Sequence, residues 1–303
     1  MDRLLAMQVF VSVVESGSFV RAAERMHLST TAASRHVADL EQHVGARLLQ
    51  RSTRRLSLTE TGGLYFERCR QILADLDEAD SLANEGAAQP KGKLRVSLPH
   101  SFGLRYVAPR IPEFCRRYPG LQLEVNFSDR IVDLVEGGID VALRISDKLQ
   151  NTLIARRLAR IRMAVCAAPA YLAEMGAPRT PEDLREHRCL TYDYAPLSDT
   201  WHFLRHGEGV AVAVKSAFRS NSGDMTRLAA LAGQGVVLQP TFLIGDDLRN
   251  GTLVRLLAAY ELPEPAAYAV YPGGARRSAR VKAFVEYFAE VFSGDPPPWD
   301  VGI

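Results

Sequence analysis

Residues 18–45, SFVRAAERMHLSTTAASRHVADLEQHVG, leave the chain little freedom in local structure. Ser18 follows Gly17 and suits an N-cap, and Phe19, Ala22, Ala23 and Met26 then recur at helical spacing. His27-Leu28 reads as a turn. Ser29 can cap a second helix with an inner stripe of Ala33, Val37, Leu40 and Val44, and Gly45 stands where a left-handed residue ends a helix. Two short helices joined this way form the unit that lays its second helix in the major groove of DNA. Thr30, Thr31, Ser34 and Arg35 fall on the opposite face at the start of that helix. They are short hydrogen-bonding side chains that permit close approach to base edges, with one guanidinium to reach guanine or phosphate. Such a face can equally be plain solvated surface, so the flanking segments have to decide.

They favour DNA. Residues 3–16 form a further amphipathic helix with Leu5, Ala6, Val9, Phe10 and Val13 inward, which supplies a third helix for a core. Residues 47–51 and 56–59 read as two short strands around Ser52-Thr53-Arg54-Arg55, a wing whose Arg51, Arg54 and Arg55 can meet phosphates or a minor groove. Residues 1–59 hold eight arginines against five acids, and residues 60–90 hold two against seven. A whole-chain charge of +2 conceals this basic head and acidic neck.

From Thr59 to Ala88 there is no proline, and Tyr65, Cys69, Ile72, Leu76, Ala79 and Ala83 make a heptad seam. An isolated helix with so narrow an apolar stripe is marginal, so the seam predicts a homodimer through this helix; an ordinary helix lying on its own domain is the alternative. A two-fold dimer presents two recognition helices and expects an imperfect inverted repeat in double-stranded promoter DNA.

Residues 86–92 read as a linker, and the remaining length is ample for a second domain. Strand-like runs over 94–98, 121–127 and 139–145 alternate with helices over 102–117 and 131–136, a βαβαβ pattern that predicts a parallel sheet. A second set follows, with strands over 163–168, 189–194, 210–218 and 236–239 and helices over 223–232 and 241–249. A last strand over 267–271 and a helix over 277–292 can return to the first half. The resulting division is 1–59 for DNA binding, 60–90 for a dimerising helix and hinge, and 91–303 for regulation. Its subdomains are 91–160 with 267–292, and 161–266.

Ligands of open α/β sheets bind beyond the carboxyl ends of strands. Here those ends carry His100, Ser101, Phe102, Ser128, Asp129, Arg144, Asn221, Ser222, Gln239 and Pro240. Ser101 and Ser222 sit at helix starts, and Arg144 can clamp a carboxylate, so a small organic acid is the expected ligand. The competing view is that each polar residue only caps a helix or turn.

At this point the chain resembles the LysR-type transcriptional regulators. Residues 18–63 are similar to that family's winged helix-turn-helix signature, and DLVEGGIDVALRI at 133–145 and AALAGQGVVLQP at 229–240 are similar to stretches of its second half. The resemblance runs from Leu4 to Phe292. It implies an α/β chain overall: an all-α winged helix-turn-helix, a long linker helix and a two-subdomain, periplasmic-binding-protein-like effector domain. It also implies a homotetramer, with RNA polymerase as a further partner. By motif position Ser34 and Arg35 match a Ser-Arg pair that meets DNA, and Arg51 and Arg54 match wing arginines. Ser101, Ser128 or Asp129, Arg144 and the Asn221-Ser222 turn match places where effectors are held. The tail SGDPPPWDVGI departs from the family pattern and reads as a mobile end.

Other chemistry finds little support. The four cysteines, at 69, 115, 166 and 189, make no CxxC pair, and with no signal peptide or membrane-spanning run a cytoplasmic location with reduced thiols is expected. One branch of the family carries a peroxide-sensing disulfide, for which Cys166 and Cys189 are the candidates here. His202 and His206 stand four apart, as on one helix face, without a third ligand, so no metal is expected. Gly233-Gln234-Gly235 lacks the third glycine of a nucleotide fingerprint, and no GxSxG or HExxH occurs. No cofactor is expected. An enzyme acting on a small molecule and an architectural DNA binder without a ligand are the rival classes.

Overall fold

The computed structural model describes residues 2–51, 56–83, 90–130, 134, 137–147, 153–193, 199–273 and 278–302. Two compact units divide the chain, the first built mainly from residues 1–89 and the second from most of the remainder.

The first unit begins with α1 (Arg3–Ser16), α2 (Phe19–Arg25) and α3 (Thr30–Val44). Their ends lie where the residue chemistry puts them. Ser18 Oγ accepts from the Arg21 amide at 3.4 Å and Ser29 Oγ from the Ala32 amide at 3.1 Å. Gly17 and Gly45 close α1 and α3 at φ 64° and 72°, where a side chain is disfavoured. His27 takes φ 54° in the turn between α2 and α3. Ala6, Val9, Phe10 and Val13 of α1 pack with Ala22, Ala23, Ala33, Val37 and Leu40 into one core. The wing follows as β1 (Leu49–Arg51) and β2 (Leu56–Leu58), antiparallel with Leu49 opposite Leu58. The wing tip, including Arg54 and Arg55, lies outside the described residues.

The long helix is α4 (Glu60–Ala83). Thr59 caps it, its Oγ1 accepting from the Gly62 amide at 2.8 Å. Two of the six residues of the expected seam have another use. Cys69 is fully buried in the core of the unit, and Tyr65 rests against Phe10 with ring centroids 6.1 Å apart. These two positions therefore face the chain's own α1, because the start of α4 completes the three-helix core. Ile72 and Leu76 are exposed, whereas the side chains of Ala79 and Ala83 lie outside the described residues. Gly62 is required by close approach: a Cβ there would stand 1.9 Å from the Leu48 carbonyl oxygen. Gly62→Ala is expected to cost about 1–3 kcal/mol through a forced backbone shift. A head that keeps its thermal midpoint in this variant would show that the junction yields freely.

The second unit contains two five-stranded sheets. The first holds β3 (Gly92–Leu98), β4 (Leu121–Phe127), β5 (Val141–Ser146), β6 (Leu153–Arg160) and β14 (Ala266–Pro272), in the order β4-β3-β5-β14-β6. The second holds β7 (Met163–Ala167), β8 (Cys189–Tyr192), β11 (Ser216–Ser220), β12 (Val236–Pro240) and β13 (Val254–Leu256), in the order β11-β8-β12-β7-β13. A separate hairpin pairs β9 (Thr200–Arg205) with β10 (Glu208–Ala213). The helices are α5 (His100–Phe102), α6 (Ile111–Arg117), α7 (Pro169–Met175), α8 (Gly223–Leu231), α9 (Thr241–Arg249) and α10 (Ala279–Val291). A π turn and a 3-10 turn fill the interval between α5 and α6, where one continuous helix is expected from the sequence.

The sheets are mixed rather than parallel. β3, β4 and β5 run parallel, but β14 is antiparallel to both β5 and β6, and β7 is antiparallel to both β12 and β13. The cause is the pair of crossovers. β6 leaves for the second sheet through Ile161-Arg162, and β14 comes back beside it, the Ile161 amide donating to the Pro265 carbonyl at 2.8 Å. An outgoing and a returning segment at one hinge must run in opposite directions. The single strand expected over 210–218 is two, β10 and β11, split where the Val214 amide donates to the Asp199 carbonyl. His202 and His206 lie on β9 and its turn, not on a helix, and among the described residues no three metal-binding side chains gather. The expected helix over 131–136 falls mostly outside the described residues.

The tail corrects the expectation of a mobile end. Trp299 is only 2% exposed, its ring 5.3 Å from Phe102 and 5.0 Å from Tyr106. A large aromatic surface with a cluster to enter outweighs the turn-forming composition around it.

Candidate functional site

In the first unit, the stripe of Ala33, Val37 and Leu40 fixes the rotation of α3. That rotation leaves Thr30, Thr31 and Arg35 exposed and Ser34 half-buried, on the first turns of the helix. No acid lies in the first turn to repel a phosphate. Arg51 ends β1, its side chain outside the described residues. Glu41 has a positioning role that periodicity does not reveal. Its Oε1 accepts from the Leu48 amide at 2.8 Å and the Leu49 amide at 3.0 Å, tying the end of α3 to the wing.

In the second unit, the strand ends of both sheets converge on one another. Ser101 Oγ donates to Asp224 Oδ2 at 2.5 Å, and Arg105 Nη2 donates to Asp224 Oδ1 at 2.7 Å. Asp224 lies in the first turn of α8, so one carboxylate joins residues following β3 to residues following β11. Burial opposes the charge on Asp224, but the Ser101 hydroxyl and the Arg105 guanidinium outweigh it and hold the carboxyl below its ordinary value. Neither Asp224 nor Arg105 stands out in the sequence. Only the position of Asp224, two residues past a Ser N-cap at a strand end, marks it.

Around this bridge lie the other expected residues. Asp129 Oδ1 accepts from the His100 amide at 3.2 Å; burial pushes its carboxyl up, partly opposed by that amide and by the charge of Arg144. Ser128 Oγ accepts from the Arg130 amide at 3.3 Å. Ser222 caps α8, its Oγ accepting from the Met225 amide at 3.3 Å, and Asn221 beside it is exposed. Gln239 is buried, its Nε2 donating to Thr226 Oγ1 at 2.6 Å, and Pro240 leads into α9. Phe102 is fully buried beneath the site among Tyr106, Phe242, Phe292 and Trp299. It is a support for Ser101 and has no surface to offer a ligand.

Arg144 is the unbalanced member. Nη1 donates to the Leu143 carbonyl at 2.8 Å and Nη2 to Ser97 Oγ at 3.0 Å, so neither of these partners is a carboxylate. Burial pulls its guanidinium below the usual value, opposed by the charge of Asp129. A part-buried guanidinium with donors to spare is suited to an incoming anion.

The buried thiols offer no reactive site. Burial pushes Cys166 and Cys189 up to about 12 and Cys69 to about 11, so none supplies thiolate near neutrality. Among the described residues no helix is long and apolar enough to cross a membrane.

Residues 4–63 match the bacterial regulatory helix-turn-helix protein, lysR family, and residues 87–293 match the LysR substrate binding domain. The chain belongs to the LysR family of transcriptional regulators: a DNA-binding helix-turn-helix followed by an effector-binding domain, and not an enzyme. Members of this family bind promoter DNA and small-molecule effectors and form oligomers. An uncharacterized HTH-type transcriptional regulator of Haemophilus influenzae is 37% identical over 282 residues, 93% of this chain and 97% of the relative. An HTH-type transcriptional repressor of Pseudomonas aeruginosa is 36% identical over 300 residues, 98% and 94% of the two chains. Among solved structures, CrgA from Neisseria meningitidis is 35% identical with a TM-score of 0.61, covering 94% of this chain and 97% of its own. The Vibrio cholerae virulence activator AphB is 26% identical with a TM-score of 0.59, covering 95% and 98%.

Proposed function

We propose that this regulator reads an imperfect inverted repeat in promoter DNA and that a small organic acid, held between the two sheets of its effector domain, switches it. Residues 1–59 read DNA through Thr30, Thr31, Ser34, Arg35 and the wing arginines. Residues 60–90 pair two chains, and residues 91–303 hold the acid. The observation that carries the effector reading is Arg144: a part-buried cation at a strand end, bonded to a carbonyl and a hydroxyl. The acid's oxygens take its remaining donors, beside Ser101, Ser128, Asp129 and the Asn221-Ser222 turn.

The dimer forms through the exposed part of the α4 seam, at Ile72 and Leu76, and continues past Ala79 and Ala83. Two such dimers make a homotetramer. A protein working on promoter DNA is cytoplasmic and meets RNA polymerase there. A shift in the balance between two lobe arrangements, worth about 1–3 kcal/mol, suffices to move the heads.

The test is footprinting on the intergenic DNA upstream of its own coding region, at fixed salt, with and without a panel of small carboxylic acids and aromatics. A protected inverted repeat that shifts with one acid supports the reading; protection that no compound alters removes the effector half of it. Arg35→Ala should weaken specific binding by about 1–3 kcal/mol if the guanidinium reads a base. An equal loss on scrambled DNA reassigns it to phosphate contact.

A further inference from the structure

The tail beyond α10 touches the crossover between the two sheets and residues on the side of each. Asp295 Oδ1 meets Arg160 Nη2 at 2.7 Å, and Asp300 Oδ2 lies 3.6 Å from Arg162 Nε. Those two arginines flank Ile161, the crossover from the first sheet to the second. The Val301 carbonyl accepts from Arg249 Nη1 of α9 at 3.0 Å, on the side of the second sheet. Trp299 meets Phe102 and Tyr106, on the side of the first, and Phe292 at 5.8 Å. Phe102 in turn packs edge-on to Phe242 of α9 at 5.2 Å. The Asp300 side chain is fully buried, and neither of its oxygens accepts a hydrogen bond from the described residues. A buried carboxylate beside one arginine is costly to place and persists only where the surrounding packing holds it.

We infer that residues 295–301 are a strap across the hinge and that Trp299 is a positioning residue for the effector site. Its indole seats Phe102, and Phe102 immediately follows Ser101, the hydroxyl that meets Asp224 across the two lobes. Closing or opening the lobes about Ile161 must slide the strap against Arg160, Arg162 and Arg249, so the strap biases which arrangement prevails. The lobe motion and the effector consequence rest on the reading above; the mechanical coupling of the strap to 100–107 and 160–162 does not.

Hydrogen exchange on the full-length protein tests the mechanical part. In the unaltered chain the amides of 299–302, 100–107 and 160–163 should open together, with similar protection. Trp299→Ala should speed exchange at 100–107 and 160–163 by about tenfold or more, Trp299→Phe should restore most of it, and residues 30–44 should not change. A tail that exchanges freely while 100–107 stays protected overturns the strap, and this comparison needs no variant to fold. Titration with the same carboxylic acids, followed by thermal shift, supplies the second arm. Trp299→Ala should weaken any acid that binds the unaltered protein by about tenfold, with operator affinity kept and Trp299→Phe near the parent. Unchanged acid affinity denies Trp299 its positioning role. If no acid binds the parent, the organic-acid reading fails and exchange alone still decides the strap.

Discussion

Replacing Arg227 with alanine is expected to cost the effector domain about 3–5 kcal/mol. Arg227 Nε and Nη2 bond the two oxygens of Asp247 at 2.5 and 2.6 Å, and the Asp247 side chain is only 5% exposed. The hydrogen bonds to Asp247 raise the Arg227 guanidinium above its usual value, as a matched fork does. Removing the arginine leaves a buried carboxylate with little beyond the Thr252 hydroxyl, 3.5 Å away, to answer it. The penalty comes from the stranded charge more than from the lost attraction. Joint replacement by Arg227→Met and Asp247→Leu should therefore recover most of the stability. Both tryptophans, Trp201 and Trp299, lie in this unit, so fluorescence during urea unfolding follows it alone. A loss below about 1 kcal/mol for Arg227→Ala would mean that water already solvates Asp247.

The second large effect is on response. Arg144→Ala should remove the acid-dependent shift of the footprint while the footprint itself remains. A hydrogen bond to a charged group is worth about 1.5–3 kcal/mol, so acid affinity should fall at least tenfold. Arg144→Lys should recover little, since a point charge cannot reproduce a planar fork. Operator binding and acid response that both survive Arg144→Ala would leave Arg144 as a tie between β5 and β3, through Ser97.

What the sequence made legible follows the range of the forces involved. Helix caps act over three residues, so Ser18, Ser29, Gly17 and Gly45 announce α1, α2 and α3 without reference to the rest of the molecule. The strand-end rule also works at short range, and it gathers Ser101, Asp129 and Arg144 from the first sheet with Ser222 from the second. The pairing itself was not legible. Ser101 and Asp224 stand 123 residues apart and belong to no shared period. β6 has no strand signature in the sequence, because it is an edge strand whose Arg156, Arg157 and Arg160 break the apolar alternation. Cys69 carried a heptad spacing that fits a partner helix and the chain's own core equally well; only the position of Phe10 decides between them. In the tail, proline and glycine describe the backbone correctly and say nothing of where Trp299 finds its neighbours.

The burial of three of the four thiols has a practical side. Cys69, Cys166 and Cys189 are buried, and Cys115 on α6 is exposed. A maleimide dye added to the unaltered chain at neutral pH should therefore enter at one place, on the lobe that carries Ser101. Trp201 on β9 packs with the second sheet, in the other lobe, so as an intrinsic donor it completes an optical pair for watching the lobes move.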